Sequence, residues 1–429
     1  MKKYALIGAG PSGLAGARNL QKFGIPFTGY EAHSDVGGLW DIKNPNSTVY
    51  ESAHLISSKK MTEFREFPMK ESVAPFPSHE ALLDYFQSFA NHFGLREHYR
   101  FNTAVEKIEK ADDGWQITDS AGGDETYGGV IIANGILSHP NIPNFEGEFS
   151  GEIFHSAKYK SPAVFEGKRV LIVGAGNSGC DIAVDAVHRA KSVAISMRRG
   201  YHFVPKFIVG KPADTIGGLI KLPARIKQAI DGTLLKLFTG NPQSFGFPKP
   251  DHKIYESHPI VNSLILHHAG HGDIAVKPDI ERFDDKNVVF KNSETCEFDL
   301  VLLATGYKLH YPFIDKSHLS WNGATPQLYL NCFAPKHDDL FVLGMIEAAG
   351  IGWQGRYEQA EIVARFIRAN ERQSQAVENL KRVKSGDLPK LNGGFDYLEI
   401  DRMAYYVHKD SYLKTLRKHL REFQAEDDA

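Results

Sequence analysis

The stretch from Phe149 to Gly179, FSGEIFHSAKYKSPAVFEGKRVLIVGAGNSG, decides how the chain is read. It closes on an apolar run, Val170-Leu171-Ile172-Val173, that breaks into Gly174-Ala175-Gly176-Asn177-Ser178-Gly179. A strand that enters G-x-G-x-x-G and leaves as a helix is the phosphate-cradling turn of a dinucleotide fold. The first glycine allows the tight turn, the second lets backbone approach a pyrophosphate, and the third lets the helix pack on the strand. One such motif is weak evidence. Here it is a second copy, because Tyr4–Ile7 runs straight into Gly8-Ala9-Gly10-Pro11-Ser12-Gly13. Two copies point to an enzyme that passes electrons between two cofactors.

Around the first copy, Leu14, Ala15, Ala17, Arg18 and Leu20 continue as a helix that ends near Gly24. The helix N-terminus offers free N–H groups to phosphate. A strand from Pro26 to Tyr30 closes on Glu31, 18 residues after Gly13, where a carboxylate accepts hydrogen bonds from ribose hydroxyls. Beyond it, Gly37-Gly38 lets the chain lie flat against a large planar ligand, with Leu39 beside it and Trp40 as a wall. Tyr50 to Phe67 reads as irregular chain and includes His54, Ser57 and Ser58. Ser78 caps a helix whose Leu82, Phe86, Phe89, Ala90 and Phe93 share a core face, and Gly94 stops it. Phe101 to Gly129 alternates through Val105, Ile108, Trp115 and Ile117, with turns at Asp113-Gly114 and Gly122-Gly123, as a β-meander does. Gly129 to Asn134 is a core strand, and His139 to Pro143 a linker.

Around the second copy the design repeats, with a helix bearing Ile182, Ala183, Ala186, Val187 and Ala190 and a strand Val193–Ser196. The copies then diverge. Counting 23 from the first glycine gives Glu31 in the first but Met197 in the second, followed by Arg198 and Arg199. An acid there repels a 2′-phosphate, whereas arginine pairs with it through charged, often bidentate hydrogen bonds. The first copy therefore suits FAD and the second NADPH. Further on, a helix is expected around Leu219–Leu237, with Leu222, Ile226, Ile230, Leu234 and Leu237 on one side. His267, His268 and His271 lack a carboxylate in metal-site spacing, and no metal is expected. Asp299 to Tyr307 mirrors Val130–Gly135, as it should if the chain crosses between two units twice. Leu340–Leu343 is one more strand, ending at Gly344, and a helix follows over Tyr357–Ile367. The tail helix Tyr412–Phe423 is basic and amphipathic, and docking on its own domain is favoured over lying on a membrane.

The expected architecture is α/β, two Rossmann-like dinucleotide-binding domains for FAD and NADP, the NADP domain inserted in the FAD domain, with a β-meander. The expected boundaries are 1–165 and 306–429 for the two parts of the FAD domain, and 166–305 for the NADPH domain with an inserted segment. A chain of 429 residues has room for two such cores. Composition excludes other classes. A net charge of −2 gives no footing for nucleic acid. Cys180, Cys296 and Cys332 form no C-x-x-C, which speaks against a dithiol or zinc site and fits a reducing cytoplasm. No signal peptide and no run of ~18 apolar residues is read in the chain, so no membrane span is expected.

The motifs also carry a family resemblance. GAGPSG, then ExxxxxGGLW, Phe149-x-Gly151-x-x-x-His155-x-x-x-Tyr159, GAGNSG and LATGYxxxYPF follow in the order seen in flavin-containing monooxygenases. The chain resembles that family over nearly its whole length, with further likeness at VPKFIVGKPAD, FPKPDHKIYESHP and Gln354-x-Arg356-Tyr357. Tyr159 separates it from the similar Baeyer–Villiger enzymes, where tryptophan is usual. The lack of a hydrophobic C-terminal anchor looks bacterial. The resemblance implies that Ser196 and Arg198 sit where the NADP phosphate is held and that Asn177 lies near the nicotinamide arm; Arg199, Val105 and Gln354 are the further candidate cofactor contacts.

It also implies an FAD enzyme that consumes NADPH and O2, forms a C4a-hydroperoxyflavin and oxygenates the nitrogen of an amine or the sulfur of a sulfide. Baeyer–Villiger oxidation of ketones is the alternative, and an altered flavoprotein with a binding role the next. The expected partners are that small-molecule substrate, O2 and a second copy of the chain in a homodimer, with no nucleic acid. Many members carry an asparagine near the flavin, and aligning Tyr50-Glu51-Ser52 and Lys59 puts Ile56 there. Isoleucine cannot hydrogen-bond the flavin, so His54, Ser57 and Ser58 are the candidate replacements. His155, in the domain-joining motif, is expected to act structurally or conformationally rather than as a general base.

Overall fold

The structure is a computed structural model that describes residues 1–216 and 223–427. Strand β1 (Tyr4–Ile7) feeds helix α1 (Pro11–Lys22), which returns in β2 (Phe27–Tyr30). Helices α2 (Lys59–Thr62) and α3 (His79–His92) precede β3 (Tyr99–Arg100). The antiparallel meander β4 (Val105–Ala111), β5 (Gly114–Asp119) and β6 (Asp124–Tyr127) leads to β7 (Gly129–Ile132). Next come β8 (His139–Pro140), β9 (Glu152–His155) and β10 (Arg169–Val173). Helix α4 (Asn177–Val187) and β11 (Ser192–Ser196) complete the second loop-bearing unit.

A hairpin, β12 (Phe207–Ile208) and β13 (Lys211–Pro212), precedes α5 (Ala224–Thr239) and α6 (Leu264–His271). Strand β14 (Ile274–Lys277) is followed by an antiparallel trio, β15 (Ile280–Asp284), β16 (Asn287–Phe290) and β17 (Thr295–Glu297). Then come β18 (Leu300–Leu303), β19 (Tyr307–Lys308), the hairpin β20 (Trp321–Asn322) and β21 (Thr325–Pro326), and β22 (Leu340–Val342). Helices α7 (Gly352–Asn370), α8 (Gln375–Lys384) and α9 (Lys409–Asp427) close the described chain.

Two five-stranded parallel sheets result, in the orders β22-β7-β1-β2-β3 and β9-β18-β10-β11-β14. They correspond strand for strand: β10 takes the place of β1, β11 of β2 and β18 of β7. Strands β1, β7 and β18 are buried along their whole length, which is why they read as unbroken apolar runs. Between the sheets the chain crosses at β8 and β19, and these crossovers pair antiparallel, Tyr307 with Pro140 and Lys308 with His139. Thr305 Oγ1 donates to the Asn141 carbonyl at 2.6 Å, tightening the same junction.

Several details differ from the sequence expectation. Strand β9 belongs to the second sheet although it precedes residue 166, because it pairs in register with β18, Leu303 opposite His155. Helix α7 starts at Gly352, ahead of Tyr357, since Gly352 takes a φ of +59° against the Met61 carbonyl. Leu219 and Leu222 lie outside the described residues. Ile226, Ile230, Leu234 and Leu237 of α5 do share a face, and it is exposed. The tail helix is longer than expected, and it buries Leu413, Leu416, Leu420 and Phe423 against the chain's own core. Among the described residues no helix is long and apolar enough to cross a membrane.

Candidate cofactor and active site

The two glycine loops have the same geometry. Gly8 and Gly174 both have φ of +104°, and a Cβ on either would lie 2.5 Å from a carbonyl oxygen, of Ala133 and Ala304 respectively. A Cβ on Gly13 or Gly179 would lie 1.9 Å from the carbonyl of Gly8 or Gly174. Both helices begin at a glycine, Gly10 or Gly176, with no side chain capping them and no acid in the first turn, so their N–H groups are open to an anion. Pro11 fills the position where a missing N–H costs nothing, and Ser12 follows it.

Among the described residues, no atom beyond its own stretch of chain lies within 4 Å of where a Gly176 Cβ would stand, so the loop faces open space there. In the first loop Gly38 comes over Gly10, its would-be Cβ 2.9 Å from the Gly10 Cα, and Gly37 N–H donates to the Ala9 carbonyl at 3.1 Å. Gly344, after β22, completes this cradle: its Cβ would lie 2.3 Å from Ser12 Oγ. The sequence marks Gly344 only as the end of a strand.

Glu31 sits at the C-terminal end of β2, buried, with its carboxylate accepting from Ala9 N–H at 2.6 Å and His33 N–H at 2.8 Å. Burial pushes its pKa up, and the His33 and Ala9 bonds pull against that. Its oxygens keep lone pairs for a ribose. Thr103 N–H donates to the Glu31 carbonyl at 2.9 Å, so Val105, two residues on, starts β4 close to the backbone of Glu31. Leu39 and Trp40 are half-buried, Trp40 edge-on to Trp353 at 6.0 Å.

In the second unit Arg198 is exposed at the end of β11 and forms no ion pair among the described residues. Arg199 Nε lies 3.7 Å from Asp251, and its Nη1 is buried without a hydrogen bond. Two expectations need correction. Ser196 is buried and its hydroxyl donates to the Pro278 carbonyl at 2.7 Å, so its proton is not free for a phosphate. Asn177 has its amide spent on the backbone: Nδ2 donates to the Pro259 carbonyl at 3.2 Å and Oδ1 accepts from Val261 N–H at 2.7 Å. It braces the 259–261 segment. Ser178 lies in the first turn of α4 against the Tyr50 hydroxyl.

The four residues expected near the chemistry do not form one constellation. His54 is exposed, its Nδ1 2.8 Å from the Ser52 carbonyl. Ser57 Oγ pairs with Thr62 Oγ1 at 2.8 Å. Ser58 precedes α2, its N–H bound to Asp214 at 2.6 Å and its buried hydroxyl without a partner. Ile56 is half-buried beside them. His155 is buried at the end of β9, edge-on to Tyr307 of the crossover at 5.2 Å. Burial lowers its pKa against the opposing Gly306 backbone, so the imidazole is neutral at pH 7. Gln354 also departs from expectation: its Oε1 accepts from Arg65 N–H at 2.9 Å and it lines a groove of about 690 Å³ with Lys60, Lys409, Lys414 and Arg421, into which neither glycine loop enters.

Residues that sequence reasoning passed over stand between the units. Asp181 and Asp185, one turn apart on α4, accept from Tyr50 and Asn262 and from Ser52 and Tyr159 respectively. Burial raises both carboxyl pKa values. Two acids at i and i+4 on the helix of an apolar nucleotide unit were the available signal.

Two matched parallel-sheet units, one loop followed by a buried acid and the other by a free arginine, define a two-dinucleotide flavoprotein oxidoreductase. The first loop fits FAD and the second NADPH. Over residues 1–409 the chain matches the model of the flavin-binding monooxygenase-like family, FMO-like, and it belongs to that family. It is 30% identical over 447 residues to "Flavin-containing monooxygenase 1" of Rattus norvegicus, covering 97% of this chain and 83% of the relative. To "Dimethylaniline monooxygenase [N-oxide-forming] 2" of Pan troglodytes it is 31% identical over 395 residues, covering 85% and 72%. The open crystal structure of cyclohexanone monooxygenase shares the fold with a TM-score of 0.76 at 17% identity, covering 99% of this chain and 98% of that one. The protein is thus a flavin-dependent monooxygenase that uses FAD and NADPH.

Proposed function

We propose that the enzyme oxygenates a soft nucleophile, the nitrogen of an amine or the sulfur of a sulfide, at the expense of NADPH and O2. The observation that carries the assignment of sites is the pair of loops with one geometry and opposite sequels, buried Glu31 after the first and exposed Arg198 after the second. Gly8, Gly10, Pro11, Ser12 and Gly13, with Gly38 and Gly344, hold the FAD pyrophosphate, and Glu31 orients its ribose. Gly174, Gly176, Ser178 and Gly179 hold the NADPH pyrophosphate, Arg198 carries the 2′-phosphate, and Arg199, tethered to Asp251, adds positive potential. When bound, the cofactors supply hydride transfer and the activation of O2. The protein's own part is orientation and exclusion of water. Leu39, Trp40 and Ile56 present apolar surface for the second task, and His54, Ser57 and Ser58 are the polar groups nearest to it in sequence.

His155, neutral and buried at the crossover, positions the two units and moves no proton. The unit boundary falls in the linker before Glu152. The name of the N-oxide-forming relative supports an amine as one substrate class. With three unpaired cysteines, two of them buried, the enzyme belongs in a reducing cytoplasm. A homodimer remains the assembly to test, by sedimentation of the FAD-loaded protein. The activity test is NADPH-driven O2 uptake with a thioether and a cyclic ketone offered together. Sulfoxide without lactone is the expected product. Lactone moves the assignment to Baeyer–Villiger oxidation, and NADPH oxidation without any oxygenated product removes the proposal.

A further inference from the structure

The end of the Phe149–Tyr159 motif grips a different part of the chain. Lys160 Nζ donates to the carbonyls of Ser47 at 2.7 Å and Val49 at 3.0 Å, and the Lys160 carbonyl accepts from Glu51 N–H at 2.9 Å. The Tyr159 hydroxyl donates to Asp185 at 2.9 Å, the carboxylate that also accepts from Ser52. The ring of Tyr50 lies 5.4 Å from that of Tyr159, and its hydroxyl reaches Asp181 at 3.2 Å. Among the described residues Lys160 has no carboxylate within 4 Å, and Asp181 and Asp185 have no lysine or arginine. A half-buried ammonium that serves only main-chain carbonyls fixes a loop conformation; an exposed lysine would gain little from such bonds.

The gripped segment has a defined place. Asn44 Nδ2 donates to the Gly38 carbonyl at 3.2 Å and Ser47 Oγ to the Leu39 carbonyl at 2.5 Å, so it starts on the flavin wall. It ends, through Ser52 and Tyr50, on the NADPH helix α4. We propose that Lys160 and Asp185 are positioning residues that clasp Ser47–Ser52 between the flavin wall and α4, and so keep electrons from NADPH on the path to substrate oxygenation. This rests on the proposed placement of the two cofactors. If the clasp loosens, water reaches the reacting edge and the same electrons end in peroxide: NADPH + H⁺ + O2 gives NADP⁺ + H2O2, two electrons leaving NADPH and two reducing O2.

The test is hydrogen–deuterium exchange of the full-length, FAD-loaded protein, read at the Glu51 and Ala53 amides, beside the share of NADPH that ends as H2O2. Lys160→Met keeps the stem and loses both charged bonds, so exchange at these amides is expected to rise about tenfold and the H2O2 share severalfold. Lys160→Arg, which can donate to the same carbonyls, is expected to restore most of both. Ser52→Ala, which removes one hydroxyl, is expected to give the same pair of changes at about threefold and serves if Lys160→Met does not fold. Exchange at wild-type rates in a folded variant overturns the clasp, and so does faster exchange with an unchanged H2O2 share. A wild type that makes no oxygenated product would instead overturn the substrate proposal, because the exchange readout does not depend on turnover.

Discussion

Arg198→Ala isolates the 2′-phosphate from every other NADPH contact. Arg198 stands exposed just past β11 and, among the described residues, has neither an ion-pair partner nor a side-chain hydrogen bond for its removal to disturb. What it loses is a charge-assisted contact to the cofactor, about 1.5–3 kcal/mol, or about 10- to 150-fold in KM for NADPH. Exposure and screening put the effect toward the lower end. NADH lacks the phosphate, so its KM should stay within about twofold. Arg199→Ala should act more weakly on NADPH, because Arg199 is already turned to Asp251, 3.7 Å away. The assay is steady-state oxidation of each nucleotide by FAD-loaded enzyme, with unchanged flavin absorbance as the check on folding. Equal rises in KM for NADPH and NADH would refute the phosphate assignment. A larger effect from Arg199 would mean that Asp251 releases it when cofactor binds.

Two further outcomes follow from particular atoms. Gly176→Ala should leave thermal stability unchanged, since among the described residues its Cβ would meet nothing within 4 Å beyond its own stretch of chain, yet raise the KM for NADPH at least tenfold without altering FAD affinity; Gly174→Ala, at φ +104° and 2.5 Å from the Ala304 carbonyl, should instead lower the Tm. His258, half-buried beside Arg402, has its pKa lowered from 6.5 to about 4, first by desolvation of the ring and then by the Arg402 charge. Its unfolded form binds the proton first, so its contribution is full above pH 6.5 and is lost as pH falls toward about 4, at most about 3 kcal/mol. Urea unfolding at pH 7 and pH 5 should show that slope in the wild type and a flatter one in His258→Gln; equal slopes would place the charge uptake elsewhere.

The glycine loops were legible in the sequence because everything that shapes them is contiguous. The strand, the turn that needs glycine, the helix start and the acid or arginine at the next strand end fall within one supersecondary unit. The meander was legible for the same reason, its alternation and turns being local. Asn177 and Ser196 look like ligands by position, but their side chains are spent on Pro259, Val261 and Pro278, roughly 80 residues away in sequence, and no local pattern announces that. Gln354 is diverted in the same way by Arg65, 289 residues from it. Asp185 and Ser52 are 133 residues apart, so the contact between the units was invisible until the fold brought them together.

The strand orders explain why the motif lies where it does. The two sheets match position for position, but the outer strand beside β7 is β22, late in the chain, whereas the one beside β18 is β9, which precedes the second glycine loop. A chain that supplies those strands at such different points must cross between the units twice. Its first crossing delivers β9 and, directly after it, Tyr159 and Lys160. Residues at that point lie against both units: Lys160 reaches across the junction to Ser47 and Val49, His155 packs on Tyr307 of the second crossover, and Tyr159 bonds Asp185 of its own unit, the carboxylate that also takes Ser52 from the other. None of them needs to act on substrate for the motif to matter. In a two-cofactor enzyme, the register between the units is itself what decides where the electrons go.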